Sequence, residues 1–454
     1  LVLGVSLAIA GGPALATDAD DVIGILTSID SLDVLNRMSI QSEVTDGLLR
    51  SSYDYASMPE YLGQIQRDES TRSLSLPSSG GEGEPHILFT NLSNLNRHDT
   101  FSIGGVCGKG PGNLFGSLGY MNWQGWFMSD DDGEFEEDDT ERTWQAGVGY
   151  GWKVGNGYLG IGLNYLQGDF DESFESGFSR GSSVFDGKYT AVSVGYSKPI
   201  SDSAGWSVRG WVNDTSVLAE ERSSSIGFNA RQTYDLSGLG FGVMGRLNLV
   251  LGGGNAEGEV SAGYSRNDYD LDNPVTFFES FGDGDVLQDR ISDDDTTRDS
   301  FHVDWRYLQR LGERVDFVYG VGYQRSKHES ELSGRESFTD DGSVGLDTTA
   351  SFEVDSLSIP VAGRLNITDK LRGFAGARFD YTTTEFSDFD RFGDGSTRAH
   401  SEEKHTNTSY AVGLRYDYNE HLSAEVGMLR ASGSEDDRDE VRGDSLSFGL
   451  NFSF

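Results

Sequence analysis

Disulfides, spanning helices and a cationic face are all missing from this sequence of 454 residues. Its single Cys107 permits no internal disulfide, so the fold is held by packing and hydrogen bonding alone. No segment approaches the roughly 20 consecutive apolar residues that a membrane-crossing helix needs. Only 36% of residues are hydrophobic. Low hydropathy does not exclude a membrane β-barrel, because only every second residue of such a strand faces lipid. Lysine and arginine number 35 against 74 aspartates and glutamates, for a net charge of -39. Phosphate binding requires clustered cations, so nucleic acid is excluded as a partner. The histidines, His86, His98, His302, His328, His400, His405 and His421, show no metal-ligand spacing. Neither a metal centre nor a cofactor is expected, beyond divalent cations held loosely by acidic segments.

What the chain does have is glycine, with 60 residues, and aromatics, at 11%. Both fall in alternating runs. Trp144, Ala146, Val148, Tyr150 and Trp152 alternate with Gln145, Gly147, Gly149, Gly151 and Lys153. Tyr410, Val412, Leu414, Tyr416 and Tyr418 alternate with Ala411, Gly413, Arg415 and Asp417. Successive side chains of a strand point to opposite faces, so each run has one apolar face and one small or polar face. Short connections such as Gly155-Asn156-Gly157, Gly312-Glu313 and Thr368-Asp369 alternate with long acidic ones. The long ones lie at about 129–140, 167–187, 219–235, 270–296, 332–350, 386–403 and 432–440. Up-and-down membrane barrels sort their connections by length in this way, with short turns at one end and long loops at the other. A soluble sandwich has no reason to do so. The runs define about fifteen strands from residue 100 onward, and His86-Ile-Leu-Phe-Thr-Asn-Leu92 supplies one more. Single-chain bacterial barrels have even counts, so about sixteen strands are expected, with fourteen or twelve as alternatives. Pro360 inside a strand removes a ladder bond and calls for a bulge or a different boundary.

The closing residues, from Asp444 to Phe454, place Leu446, Phe448, Leu450, Phe452 and Phe454 against Ser445, Ser447, Gly449, Asn451 and Ser453. In this strand the chain resembles bacterial outer-membrane β-barrel proteins. In that family a C-terminal strand of alternating aromatics ending in Phe closes the barrel and is recognised by the assembly machinery. The resemblance implies that role for Phe448, Phe452 and Phe454, and a place in the bacterial outer membrane. It also implies outer-membrane lipid, lipopolysaccharide and the barrel assembly machinery as partners. The expected fold is therefore all-β, a transmembrane up-and-down antiparallel β-barrel over residues 86–454, preceded by a short helical N-terminal segment.

That N-terminal part reads differently. Residues 1–16 end in Ala14-Leu15-Ala16 after a short apolar run, the pattern of a secretory signal cut after Ala16. Within 17–69, Val22, Ile25, Ile29, Leu32, Leu35, Met38, Val44, Leu48 and Leu49 recur at spacings that favour a helix. Gly47 or Pro59 is placed to end or divide it. Residues 70–85 are rich in Ser, Gly and Glu and read as a linker. The expected roles are a plug in the pore, a periplasmic tether or an oligomerising coil, set against a helix resting at the barrel mouth.

Two strings imitate hydrolase signatures, Gly177-Phe178-Ser179-Arg180-Gly181 and Gly443-Asp444-Ser445-Leu446. A nucleophile elbow requires a strand-to-helix turn, which neither context supplies, and no enzyme activity is expected. The charges on the glycine-rich face say more. Arg430, Glu259 and Glu425 are read onto that face, together with a larger set of candidate pore-lining residues. The set is Arg209, Arg246, Arg364, Arg372, Arg378, Arg415, Asp304, Asp316, Asp380 and Asp417. Against lipid near the midplane such charges would cost about 2–4 kcal/mol each, so they are expected to face the lumen. Asp169, Asp171, Glu172 and Glu175 follow the fifth strand, where general porins fold a loop inward. That position suggests a constriction loop, with an outward-projecting loop as the rival. The functional expectation is a porin-like channel for passive diffusion of small hydrophilic solutes, as a monomer or trimer. The alternatives are an autotransporter-type translocator barrel with a short passenger or plug, and a structural or adhesive surface barrel.

Overall fold

The computed structural model describes residues 44–45, 48–49 and 57–65, and then 86–453 apart from connecting residues at 96–97, 130–134, 177–178, 202, 226–227, 253–254, 281–289, 313, 339–341, 393–394, 420 and 436–437. Sixteen antiparallel strands close into one barrel, each paired with its sequence neighbours. They are β1 (His86–Leu95), β2 (His98–Lys109), β3 (Gly112–Ser129), β4 (Phe135–Val154), β5 (Gly157–Ser176), β6 (Ser179–Ser201), β7 (Ala204–Ser225) and β8 (Phe228–Leu251). There follow β9 (Ala256–Ser280), β10 (Arg290–Leu311), β11 (Val315–Phe338), β12 (Gly342–Asn366), β13 (Leu371–Phe392), β14 (Gly395–Asn419), β15 (Leu422–Glu435) and β16 (Arg438–Ser453). β1 pairs with β2 on one side and β16 on the other, which closes the ring.

Alternation along each strand separates two environments. Val208 and Val212 of β7, Phe241 and Val243 of β8, and Phe317 and Val321 of β11 are exposed on the outer face. Ser207, Arg246, Asp316 and Arg364 take the alternate positions and are buried on the inner face. Aromatic side chains flank the outer apolar band at two levels. Trp144, Tyr165, Tyr264 and Tyr323 mark one. Trp152, Tyr196, Trp206 and Tyr307 mark the other, with the Tyr196 and Trp206 rings 5.6 Å apart. Such belts stand where a barrel wall meets the two membrane interfaces. No helix among the described residues is long and apolar enough to cross a membrane.

The two ends of the barrel differ. At the short end, Gly155 and Gly312 take φ values of 60° and 76°, a left-handed conformation that a side chain would strain. At the other end the structure corrects the reading of long loops. β5 and β6 continue to Ser176 and Ser179, which face each other across two residues. Ser225 and Phe228 end β7 and β8 in the same way, as do Phe392 and Gly395 for β13 and β14. Alternating apolar residues report lipid on one face. Above the membrane both faces are wet, so backbone pairing continues without any hydrophobic signal. Strands of 22 to 25 residues far exceed the roughly 9–11 that cross a bilayer. The wall therefore rises beyond the membrane on the long-hairpin side, which the asymmetry of such barrels identifies as extracellular.

Other details depart from expectation. Pro360 is accommodated by neither a bulge nor a strand end. The β11–β12 ladder skips from Tyr319↔Val361 to Gly322↔Ser358 at constant register, leaving the step around Pro360 open. Pro59 begins a helical turn, after an extended Met58. Arg430 shares its face with exposed Val426 and Met428, so it looks outward, unlike Glu425. Ser179 begins β6 and Ser445 lies within β16, so neither stands on a strand-to-helix turn. The signal at 1–16, most of the 17–69 helix, the linker at 70–85 and Phe454 lie outside the described residues.

Candidate functional site in the barrel lumen

The inner wall near the short turns is not empty. Residues 57–65 lie against it, including the helical turn α1 (Pro59–Leu62). Pro59 occupies the first turn, where its fixed φ suits a helix and its missing N–H costs nothing. Glycines on β4, β5 and β6 let this segment rest its backbone directly on the wall. A Cβ built on Gly195 would come within 2.6 Å of the Glu60 nitrogen, and one on Gly160 would collide with the Pro59 carbonyl oxygen. The small face of these strands is thus a seat for another stretch of chain.

Polar and apolar contacts fix the segment there. The Asn113 amide donates to the carbonyls of Leu62 and Ile65 at 2.8 and 2.9 Å. Tyr61 and Ser207 share a hydrogen bond of 2.8 Å, and the Ser197 hydroxyl donates to the Glu60 carbonyl at 2.5 Å. Gln64 donates to the Ser197 hydroxyl. The Glu60 carboxylate meets Arg246 at 2.7 Å. Arg246 also lies 3.3 Å from the Met58 sulfur. Leu62 and Ile65 pack on Phe89, Val106 and Phe115 of the inner wall. Across the lumen, Leu48 and Leu49 pack on Leu308, Val318 and Ala362, and Val44 packs on Phe374 and Ala411. The N-terminal segment therefore touches both sides of the lumen at the short-turn end.

Charged residues line the wall beside it, in pairs. Arg364 contacts Asp316 through Nε at 3.0 Å and through a second nitrogen. Arg372 and Arg415 stand opposite each other in register and share Asp417, at 2.7 and 2.9 Å. Arg415 reaches Glu425 at 3.0 Å, and the Asn451 amide donates to the same carboxylate at 3.1 Å. Arg378 meets Asp380 at 2.6 Å. Arg209 is half-buried, its guanidinium 5.6 Å from the Trp211 ring. Asp304 accepts from Ser261 at 3.4 Å. Each arginine of this set that pairs finds an acid on a neighbouring strand, on its own strand or on the docked segment.

All ten residues read as pore-lining sit on the inner face, but the structure divides them. Arg246 holds the docked segment. Arg364, Arg372, Arg415, Asp316 and Asp417 form the paired cluster on β11 to β14. Arg209, Arg378, Asp304 and Asp380 lie outside both groups. The expected constriction loop is not a separate loop. Its residues belong to the β5–β6 hairpin, where Asp169 pairs with Asp186 and Glu172 with Ser183, and the same stretch of β5 pairs with β4. Asp169 and Asp171 continue the outward register of Ile161, Leu163 and Tyr165. Glu172 and Glu175 are held by backbone pairing in the same wall. A strand bonded on both sides cannot fold across the lumen. Phe448 is exposed on the outer face of β16, and Phe452 shares that face. Among the described residues, no group of three or more His, Cys, Asp or Glu is placed to hold a metal ion.

Glu60, Tyr61, Gln64, Asn113 and Ser197 escaped the sequence reading. The tetrad Pro59-Glu60-Tyr61-Leu62 carried the only signal, a proline with an acid beside it at the start of a helical turn.

A TonB dependent receptor-like, beta-barrel family model matches residues 196–435. No curated protein matches the sequence. Among solved structures, the Ralstonia pickettii toluene transporter TbuX is similar at 10% identity and a TM-score of 0.44, over 92% of this chain and 100% of that one. The CymD monoaromatic hydrocarbon channel is similar at 9% and 0.44, over 91% and 97%. The translocator domain of autotransporter NalP from Neisseria meningitidis is similar at 11% and 0.31, over 96% and 98%. At these scores the likenesses carry no argument about solute or mechanism. The family match spans β6 to β15, more than half of the chain, on a closed sixteen-strand barrel with an apolar outer band. The chain belongs to the TonB dependent receptor-like, beta-barrel family and is a bacterial outer-membrane β-barrel protein.

Proposed function

We propose that this barrel is a channel for small hydrophilic solutes, closed at its periplasmic end by its own N-terminal segment. One observation carries the reading: Glu60 of that segment is buried in an ion pair with Arg246 of the inner wall. A charge taken so far out of water is tolerated only with a close partner. The segment is therefore seated in a shaped site, and its departure would uncover a polar lumen. Sixteen strands leave space for an aqueous channel once the lumen is clear. The paired arginines and acids of β11 to β14 would remain as its wetted wall.

Planar-bilayer conductance tests this reading. The full chain is expected to conduct weakly, and a variant lacking residues 44–65 to give steady open channels. Equal conductance of the two would reject a plugged channel. Family membership favours a second reading of the same seat, in which release is TonB-dependent. Solute uptake that stops on loss of the TonB partner, yet persists in the variant lacking 44–65, separates the second reading from passive diffusion. A translocator role for the barrel would instead bring the N-terminal residues to the cell surface, where external protease reaches them in intact cells.

A further inference from the structure

We infer that Arg209 and Trp211 of β7 form a binding site for a sugar acid in the lumen, beside the docked segment. The inference rests on the reading of the barrel as a channel for hydrophilic solutes and names the class of solute. Much of the polar inner wall is already committed. Asn113 and Ser197 hold the docked segment, Asn213 binds Asn267 at 2.9 Å, and the other five arginines of the pore-lining set each pair with an acid. Arg209 differs. Among the described residues, no carboxylate lies within ion-pair distance of it. Its guanidinium rests 5.6 Å from the Trp211 ring, and one of its nitrogens lies 3.9 Å from the Met244 sulfur. It stands opposite Gly195, the residue on which Glu60 lies, so it borders the docked segment. In a chain of net charge -39, a cation on the inner wall without its own acid is open to an anion from outside.

The neighbours of Arg209 select the ligand. A guanidinium stacked on an aromatic ring keeps its N–H fork directed outward in its plane, the arrangement that grips a carboxylate through two hydrogen bonds. The Trp211 indole lies across Gly242, where a Cβ would come within 2.1 Å of the ring. It is half-buried and offers the lumen an apolar surface. Opposite Trp211 in register stands Ser193 of β6, 6% exposed and without a hydrogen-bond partner among the described residues. Asn164 of β5 is diagonal to Ser193 on the same face, and its side-chain amide is likewise uncommitted among the described residues. A pyranose ring that carries a carboxylate uses all four groups. Its C–H face covers the indole, its hydroxyls meet Ser193 and Asn164, and its carboxylate takes Arg209. A neutral sugar leaves the cation unused, and an aromatic acid leaves the hydroxyl and the amide unused.

The nearby acids limit the charge of the ligand. Glu60 is committed to Arg246 and Glu257 to Arg310, and Glu259 is buried two strands away from Arg209. One cation beside these carboxylates balances a single negative charge. A monocarboxylate therefore fits where a phosphate dianion would be repelled.

Equilibrium dialysis of radiolabelled glucuronate against the folded full chain in detergent, with glucose and benzoate as competitors, tests the site. Glucuronate is expected to bind saturably and at least about tenfold more tightly than glucose or benzoate, the worth of one charge-assisted hydrogen-bonded pair. Arg209→Gln is expected to lower the glucuronate affinity to that of glucose and to leave glucose unchanged. Arg209→Lys, which keeps the charge without the fork, should recover part of the loss. Trp211→Ala should weaken both sugars. Arg222→Gln, exposed farther along the same strand, is expected to change nothing. Equal glucuronate affinity in the wild type and Arg209→Gln overturns the inference, and so does glucose or benzoate that binds as tightly as glucuronate. Should Arg209→Gln fail to reach the heat-modifiable folded form, Ser193→Ala decides instead: it must weaken both sugars and leave benzoate unchanged. Binding is read without conduction, so the two readings fail separately. A variant lacking residues 44–65 that does not conduct removes the channel and leaves the site, whereas conduction without glucuronate binding removes the site alone.

Discussion

Glu60 and Arg246 lie 186 residues apart in the sequence and meet at 2.7 Å, with 1% and 4% of their side chains exposed. One belongs to the segment inside the barrel and the other to its wall. The pair is thus a tie between two parts that can separate without breaking a strand ladder, and its loss should read out as release.

Glu60→Ala leaves Arg246 without its carboxylate. Removing one partner of a buried pair costs about 3–5 kcal/mol. Water reaches Arg246 once the segment leaves, so the cost falls on docking and not on the barrel. We expect higher bilayer conductance and faster protease cleavage near residue 60, with the heat-modifiable mobility of the barrel unchanged. Glu60→Gln keeps a hydrogen-bond acceptor and should give a smaller effect.

Gly195→Ala tests the seat independently of charge. Its Cβ would press on the Glu60 backbone at 2.6 Å, closer than real Cβ atoms approach. The same conductance and cleavage changes are expected. Gly116→Ala serves as the control, because a Cβ there meets nothing within 4 Å. Its effect on stability should stay within about 0.5 kcal/mol.

Acid should weaken the extracellular half of the wall through His328. This residue is fully buried on the inner face of β11, between Arg298 of β10 and Phe352 of β12. It lies level with Lys327 and Glu329, above the membrane band. Burial, and then the Arg298 charge, lower its pKa from 6.5 to about 3. The unfolded chain takes up a proton below pH 6.5 while the folded chain refuses it, so acid favours unfolding. The stability that the neutral ring preserves is fully present above pH 6.5 and is lost as pH falls toward 3. At about 1.4 kcal/mol per pH unit, the loss reaches roughly 4 kcal/mol. Thermal unfolding in detergent at pH 7.5 and pH 4 should show a larger fall for the wild type than for His328→Gln. Equal falls would remove His328 from the account.

Arg415→Ala should destabilise the wall more than Asp417→Asn. Glu425 is buried and depends on Arg415 and Asn451, whereas an asparagine at 417 still offers a carbonyl oxygen to Arg372 and Arg415. The arginine variant leaves a buried carboxylate without its cation, at about 3–5 kcal/mol where water stays out. Urea-dependent unfolding in detergent compares the two, and a larger loss from Asp417→Asn would contradict the geometry.

The barrel was legible because lipid enforces alternation. Tyr410 to Tyr418 could be assigned to the outer face from sequence, and His86 to Leu92 could be added as the missing strand, because apolar residues mark the membrane side at every second position. Where that pressure ends, the signal ends. Ser173 to Ser176 and Ser179 to Ser183 read as loop chemistry, yet they pair as strands, since strand pairing needs only backbone. The lumen was half legible. Charges on the glycine-rich face announced a polar interior, but Phe89 and Phe115 on the same face look like errors in the pattern until Leu62 is seen against them. Nothing in a local window reveals that Gly195 is small because Glu60 lies on it. That contact joins stretches distant in the chain, and only closure of the ring brings them together.

Ile87 to Leu95 faces Ser445 to Ser453 through nine residue pairs, whereas β10 and β11 share twenty-two. A hoop loaded from within parts at its shortest weld. Here the weld joins the first and last staves, so parting it opens the ring into one continuous ribbon without tearing any hairpin. Pulled sideways in the bilayer, the wall should unzip beside Leu92 and Phe448, and it should reclose along the same line.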